Sequence, residues 1–411
     1  MYENVKKLLF YLLTTAIMLA TLELYAFVIT RLVDKEDLFD HRDRVWAGLN
    51  EGDLARFSKN AADPVLGWHS HGPSVTAHLN CRGTRFVSSY DAAGARLYSG
   101  FDPATVKIIA VGDSYTNGHE VDDDDTYPAR LSALLGISVA NHGVCGYGPT
   151  QSVLNFKKNA ARYPHAEIVV LGIMYENLYR MLNSYQPVLY SSSSNYLLKP
   201  YMAGGRLIPN PGIGAYSNIN RFRQAAEKAF DDDFWAKPRA GFPYLVSLGK
   251  SLSSNYFYYQ KLQKALRRLG VPEYFLMFES EAVHLNLVSL LNQYAQLAKE
   301  LGLRPIVIFI PNNRRDTASA AKFIDRRRPE IDSDLLMGDV GRFSDIDWMK
   351  FNLEQEGGDD ICHPSSYGYR MIADYIAGFL RAHNVFSVAR RSRSAPSPTA
   401  SWYCASLNCC N

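Results

Sequence analysis

Several chemistries lack their sequence requirements in this chain. No glycine-rich phosphate loop of the Walker type and no dinucleotide fingerprint occurs, which removes the usual signals for a bound nucleotide cofactor. The six cysteines show no paired zinc-ligand spacing, so neither a metal site nor any other cofactor is expected. Formal net charge is only +3 over 411 residues and gives no argument for a nucleic-acid partner. Asp122–Asp125 is a run of four carboxylates that a calcium site would favour; a solvated loop with Asp125 or Thr126 capping the next helix is the simpler reading.

Polar residues are also nearly missing from Leu8 to Leu22, and that absence is informative. Lys6-Lys7 precede an apolar run from Leu8 to Thr30 that only Glu23 interrupts. About 20 apolar residues span a bilayer core, so the run reads as an uncleaved, single-pass anchor. A secretory signal has a shorter apolar centre and a small-x-small cleavage site, for which Leu24-Tyr-Ala26 is a poor match. The lysines favour a cytoplasmic N-terminus, although Arg31, Lys35, Arg42 and Arg44 follow on the other side.

Beyond the anchor, 47% apolar residues suffice for a sizeable core. Ile108–Val111 is a short apolar run ending in Gly112-Asp113-Ser114, which places a serine just past a buried strand. Such a serine either caps the following helix or presents its Oγ to a crevice at the carboxyl end of a sheet. Far downstream, Asp360-Ile-Cys-His363-Pro364 sets a carboxylate three residues before a histidine, just ahead of an amphipathic stretch from Tyr369 to Leu380. Pro364 disfavours helix at His363, so the histidine is expected on the loop entering the last helix. Serine, histidine and aspartate in these settings suit nucleophilic catalysis: the ring takes the serine proton while Asp360 orients it.

With these motifs the chain resembles the SGNH (GDSL-type) hydrolase superfamily, and more narrowly its membrane-tethered bacterial members, some of which act on acylated surface glycans. Gly112-Asp113-Ser114 matches the first block and Asp360-x-x-His363 the last. Asn141-His-Gly-Val-Cys-Gly146-Tyr-Gly148 looks like the second block, whose glycine lends a backbone N–H to the oxyanion hole. The third block normally reads Gly-x-Asn-Asp; Gly172-Ile-Met-Tyr-Glu-Asn177 keeps an asparagine but departs in spacing and lacks the aspartate. The resemblance implies Ser114, His363 and Asp360 as catalytic residues, with an oxyanion hole of the Ser114 and Gly146 N–H groups and the Asn177 side chain. Glu176 would be a structural or substrate-orienting group, paired with Arg180. It implies a serine esterase or acyl transferase acting on an acylated small molecule or glycan, its catalytic domain on the periplasmic or extracellular side. The altered third block keeps open a catalytically idle glycan-binding or assembly protein.

The expected fold is α/β, with a doubly wound, mainly parallel sheet flanked by helices in three layers, SGNH/flavodoxin-like. Residues 1–33 form the anchor, 34–101 a stalk and wrapping segment, 102–384 the catalytic domain and 385–411 a disordered tail. Strands are expected at Ile108–Val111, Ile137–Ala140, Ile168–Ile173 and Pro305–Ile310. Helices are expected at Tyr127–Leu135, Thr150–Ala161, Leu285–Leu301 and Thr317–Arg326. Residues 179–276 read as an insertion, either a lid or loop filler, with helices near Ile219–Phe230 and Tyr256–Leu269. Arg85 and Arg96 are surface charges or internal braces, and His119 and His142 are pocket walls or surface residues rather than bases. Cys145 and Cys362 both fall in motif loops as small apolar groups, and a disulfide between them is not expected.

Overall fold

A computed structural model describes residues 2–32, 38–70, 72–190, 194–312, 314, 317–354 and 361–385. The tail beyond residue 385 and the candidate Asp360 lie outside the described residues. Helix α1 (Tyr2–Leu32) is one uninterrupted segment of 31 residues. It is long and apolar enough to cross a membrane, and its first two-thirds are exposed; only its last third, with buried Ala26 and Thr30, rests on the body.

The body is built on five parallel strands: β1 (Val106–Gly112), β2 (Ser138–Gly143), β3 (Ile168–Met174), β4 (Arg304–Ile310) and β5 (Leu336–Asp339). Their order across the sheet is β5-β4-β3-β1-β2, all neighbours parallel. The central strands β3 and β4 are almost wholly apolar because both faces are covered, whereas the edge strand β2 carries Ser138, Asn141 and His142. Ile109, Val111, Leu171 and Phe309 face one hydrophobic cluster, while Ile108, Ala110, Val170 and Ile308 face the other, as the two-residue period requires. The second cluster is closed by the C-terminal helix (Ser366–Ala382), which buries Tyr369, Ile372, Ala373 and Ile376 on one stripe.

Each expected helix of the sheet region is found within a few residues, at Tyr127–Leu135, Pro149–Asn159, Glu281–Glu300 and Thr317–Arg327. Strand β5 carries no signal in the sequence analysis and is added at the edge. Residues 179–276 do not stand apart from the sheet: Phe222, Phe230 and Trp235 are fully buried in the same cluster as Val169 and Leu171. Aromatic packing joins this segment to the cluster on that face of the sheet.

The stalk contains two short helices, Arg42–Ala47 and Glu51–Asn60, followed by a hairpin of Ser74–Leu79 and Arg85–Tyr90. The hairpin leans on the aspartate run. Asp122 accepts from the Val87 N–H at 2.7 Å, Asp123 from the Ser89 N–H at 3.0 Å, and Asp124 from the Ser99 N–H at 2.7 Å. The run is therefore a set of acceptors for backbone donors that the sheet does not pair. Asp122 and Asp124 remain exposed, as a solvated run requires, and Thr126 caps the helix as expected, accepting from the Ala129 N–H.

Candidate active site

β1 delivers the chain to the carboxyl edge of the sheet, beside the point where strand order reverses between β1 and β3, where open α/β sheets form their crevice. The strand ends at Gly112, where a Cβ would come within 2.0 Å of Thr116 Oγ1; only glycine permits the close return of the next turn. Asp113 caps that turn, its carboxylate accepting from the Tyr115 N–H at 3.0 Å. Burial raises the Asp113 carboxyl to about 6 despite Arg180 at 3.7 Å. Ser114 is the first residue of the turn, a position whose N–H has no intrahelical acceptor.

Ser114 and His363 lie 249 residues apart and meet: His363 Nε2 is 2.8 Å from Ser114 Oγ. Burial pushes the His363 imidazole below its usual 6.5, partly offset by hydrogen bonding to Glu120, which favours the neutral ring at pH 7. The histidine sits in a short strand, Ile361–Pro364, paired with Asn352–Glu354, rather than on a loop. The last helix then starts past Pro364, with Ser365 as its cap.

Among the described residues, the carboxylate on the other side of the ring is Glu120. Its Oε2 is 3.4 Å from His363 Nδ1 and accepts from the His363 backbone N–H at 3.0 Å. Its Oε1 accepts from the Cys81 N–H at 3.1 Å. Burial raises the Glu120 carboxyl, but hydrogen bonds and charge from His363 outweigh it and bring the group to about 2. Glu120 thus remains ionised and able to steady a charged imidazole. Its backbone is left-handed, φ 73°, a conformation that costs on the order of 1–3 kcal/mol outside glycine and persists only where the surroundings impose it.

Arg96 supplies much of that imposition. Its side chain is 1% exposed and donates to the carbonyls of Asn117, Gly118 and Val121 on both sides of Glu120, to Val87 and to Asp123. It is an internal brace. A disulfide joins Cys81 to Cys362, the residue before His363, so the hairpin turn that holds Glu120 is covalently tied to the strand that carries the base. Cys145 is not part of a disulfide.

Gly146, on the loop after β2, has φ 78°, and its carbonyl accepts from Gln186 at 2.9 Å. Asn177 begins the short helix Asn177–Met181 and is buried, its Oδ1 3.4 Å from Arg180 Nη1. Glu176 pairs with Arg180 at 2.8 Å, as expected, and accepts from the Tyr190 hydroxyl at 2.6 Å. His119 stands edge-on to His363, ring centres 4.7 Å apart, and forms a wall. His142 is buried away from them against the Tyr163 hydroxyl at 2.8 Å. His119, Glu120 and His363 place ligand-type atoms within 4.8 Å of one another, but two of the three are already bonded together.

Glu120 and the Cys81–Cys362 bond were the features missed by motif reading. Glu120 stands six residues past Ser114 with no periodic or motif signal, and its role depends on a histidine 243 residues away.

No family model matches the chain, and no curated protein matches it. Solved structures similar to it include two lipolytic proteins. One, from Desulfitobacterium hafniense DCB-2, is assigned to the G-D-S-L lipolytic family; it is 12% identical, with a TM-score of 0.31 over 66% of this chain and 98% of its own. The other is a member of the lipolytic protein G-D-S-L family from Veillonella parvula DSM 2008, at 12% identity and a TM-score of 0.30, covering 67% of this chain and 98% of its own.

Proposed function

We propose that the chain is a membrane-anchored serine esterase or acyl transferase in which Ser114, His363 and Glu120 act as a triad. The observation that carries this reading is the 2.8 Å contact of Ser114 Oγ with His363 Nε2, backed by Glu120 at Nδ1. His363 takes the Ser114 proton as the oxygen attacks an acyl carbonyl, and returns it to the departing alkoxide. The developing oxyanion is met by the N–H groups of Ser114 and Gly146 and by the Asn177 amide. Losing one such donor typically costs about 10²–10³-fold in rate. Water as second substrate gives hydrolysis and a sugar hydroxyl gives transfer. Asp360, three residues from His363, is the other candidate for the carboxylate role.

The substrate is an acylated small molecule or glycan, and no nucleic acid is involved. The Cys81–Cys362 disulfide supports a catalytic domain on the oxidising, periplasmic or extracellular side of the membrane, which agrees with Lys6 and Lys7 lying inside. A fluorophosphonate probe tests the reading: the wild-type chain should be labelled and Ser114→Ala should not. Absence of labelling in the wild type, with the disulfide intact, would refute it.

A further inference from the structure

Helix Tyr244–Leu252 is inside out. Its serines Ser247 and Ser251 are buried, Ser251 to 1% exposure, with Ser251 Oγ donating to the Leu38 carbonyl and Ser247 Oγ to the Gly241 carbonyl. Its exposed face carries Leu245, Val246, Gly249 and Leu252, and Phe242 just before it is 79% exposed. In water an amphipathic helix does the opposite.

The same helix meets the anchor. Glu23, the one charge in the apolar run, accepts hydrogen bonds from the backbone N–H groups of Tyr244 and Leu245, and the Phe27 and Tyr244 rings meet edge-on at 5.0 Å. A span of about 20 residues counted from Leu8 ends near Phe27, so Glu23 lies about one turn inside the hydrocarbon boundary. A carboxylate there is costly unless bonded, and the free donors of a helix N-terminus satisfy it. Charge in the surrounding sequence agrees. Between Asp233 and Glu273 no acidic residue occurs, while Arg239, Lys250, Lys264, Arg267 and Arg268 are basic and exposed, Arg239 being paired with Glu227 and Arg267 with Glu273. Apolar groups flanked by basic ones suit the boundary of a leaflet containing anionic lipid.

We infer that Phe242–Leu252 is a second membrane contact, an interfacial helix pinned to the anchor by Glu23 and seated in the acyl and headgroup boundary of the same leaflet. It fixes the height and tilt of the catalytic domain over the bilayer, which one helix alone leaves free to swivel. The inference rests on the reading of α1 as a membrane span.

The test uses the full chain in vesicles of phosphatidylcholine and phosphatidylglycerol whose acyl chains carry diazirines, with photo-adducts mapped by peptide mass spectrometry. Adducts are expected on residues 8–22 and also on 242–252. In Val246→Asp/Leu252→Asp, changes confined to exposed positions, the second set should be lost and the first retained. Adducts on 8–22 alone would overturn the interfacial helix while leaving the anchor standing; so would crosslinks between two copies through 242–252 without lipid adducts there. Adducts on neither segment would overturn both.

Discussion

Ser114 reaches Nε2 of His363 from a turn at the end of the central strand, whereas Glu120 faces Nδ1 from a loop that only tertiary contacts hold in place. On the first side, geometry is set locally: a buried strand, a glycine without room for a Cβ and a capping aspartate aim the serine. On the second, a left-handed residue is held by Arg96, by the Cys81 N–H and by a disulfide closing across 281 residues. Ser114 is fixed by the sheet, and His363 is oriented by the hairpin. The two sides should therefore fail differently.

The largest effect should come from the strand side. Ser114→Ala or His363→Ala is expected to lower turnover about 10⁴–10⁶-fold without disturbing the thermal transition, measured on an activated ester. Next is the oxyanion side: Asn177→Ala should lower kcat about 10²–10³-fold with KM little changed, because the bond strengthens as charge develops. Glu176→Gln should keep most activity, its carboxylate being spent on Arg180 and Tyr190.

The hairpin side offers a gentler break. A dithiol reductant converts the Cys81–Cys362 bond to two thiols while becoming a disulfide itself. That loosens Glu120 and His363 together, and kcat is expected to fall on the order of 10- to 10²-fold, since misplacement by about 1 Å costs that much. KM should move little, and reoxidation should restore the rate. The smallest effect is on pH dependence. Burial sets His363 below 6.5, so kcat/KM should be flat near neutrality and fall only as the ring protonates at lower pH. Removing the Glu120 charge takes away a group that raises the His363 value, so the acid limb should move to still lower pH.

The same contrast accounts for what the sequence revealed. Gly112-Asp113-Ser114 was legible locally as the end of a buried strand, whereas its pairing with His363 came only from the Asp-x-x-His spacing and the resemblance; Pro364 marked the start of the last helix but not the strand that holds His363. The parallel sheet was legible from short apolar runs alternating with helical periods. Glu120 was not, since its meaning depends on a strand brought in from the far end of the chain. The contacts of the aspartate run were not legible for a related reason: Asp122 and Asp123 accept from backbone N–H groups of the hairpin, which no side-chain pattern announces. Tyr244–Leu252 escaped because its buried side carries serines and its apolar side is exposed.

The claim most open to direct test is that Glu120, not Asp360, is the carboxylate behind His363. Ester turnover and the fluorophosphonate labelling rate of Ser114 should be compared in Glu120→Gln and Asp360→Asn. The account predicts a loss of about 10³–10⁴-fold in Glu120→Gln, as for removal of a triad carboxylate, with Asp360→Asn close to wild type. A crippled Asp360→Asn beside a nearly intact Glu120→Gln would contradict it.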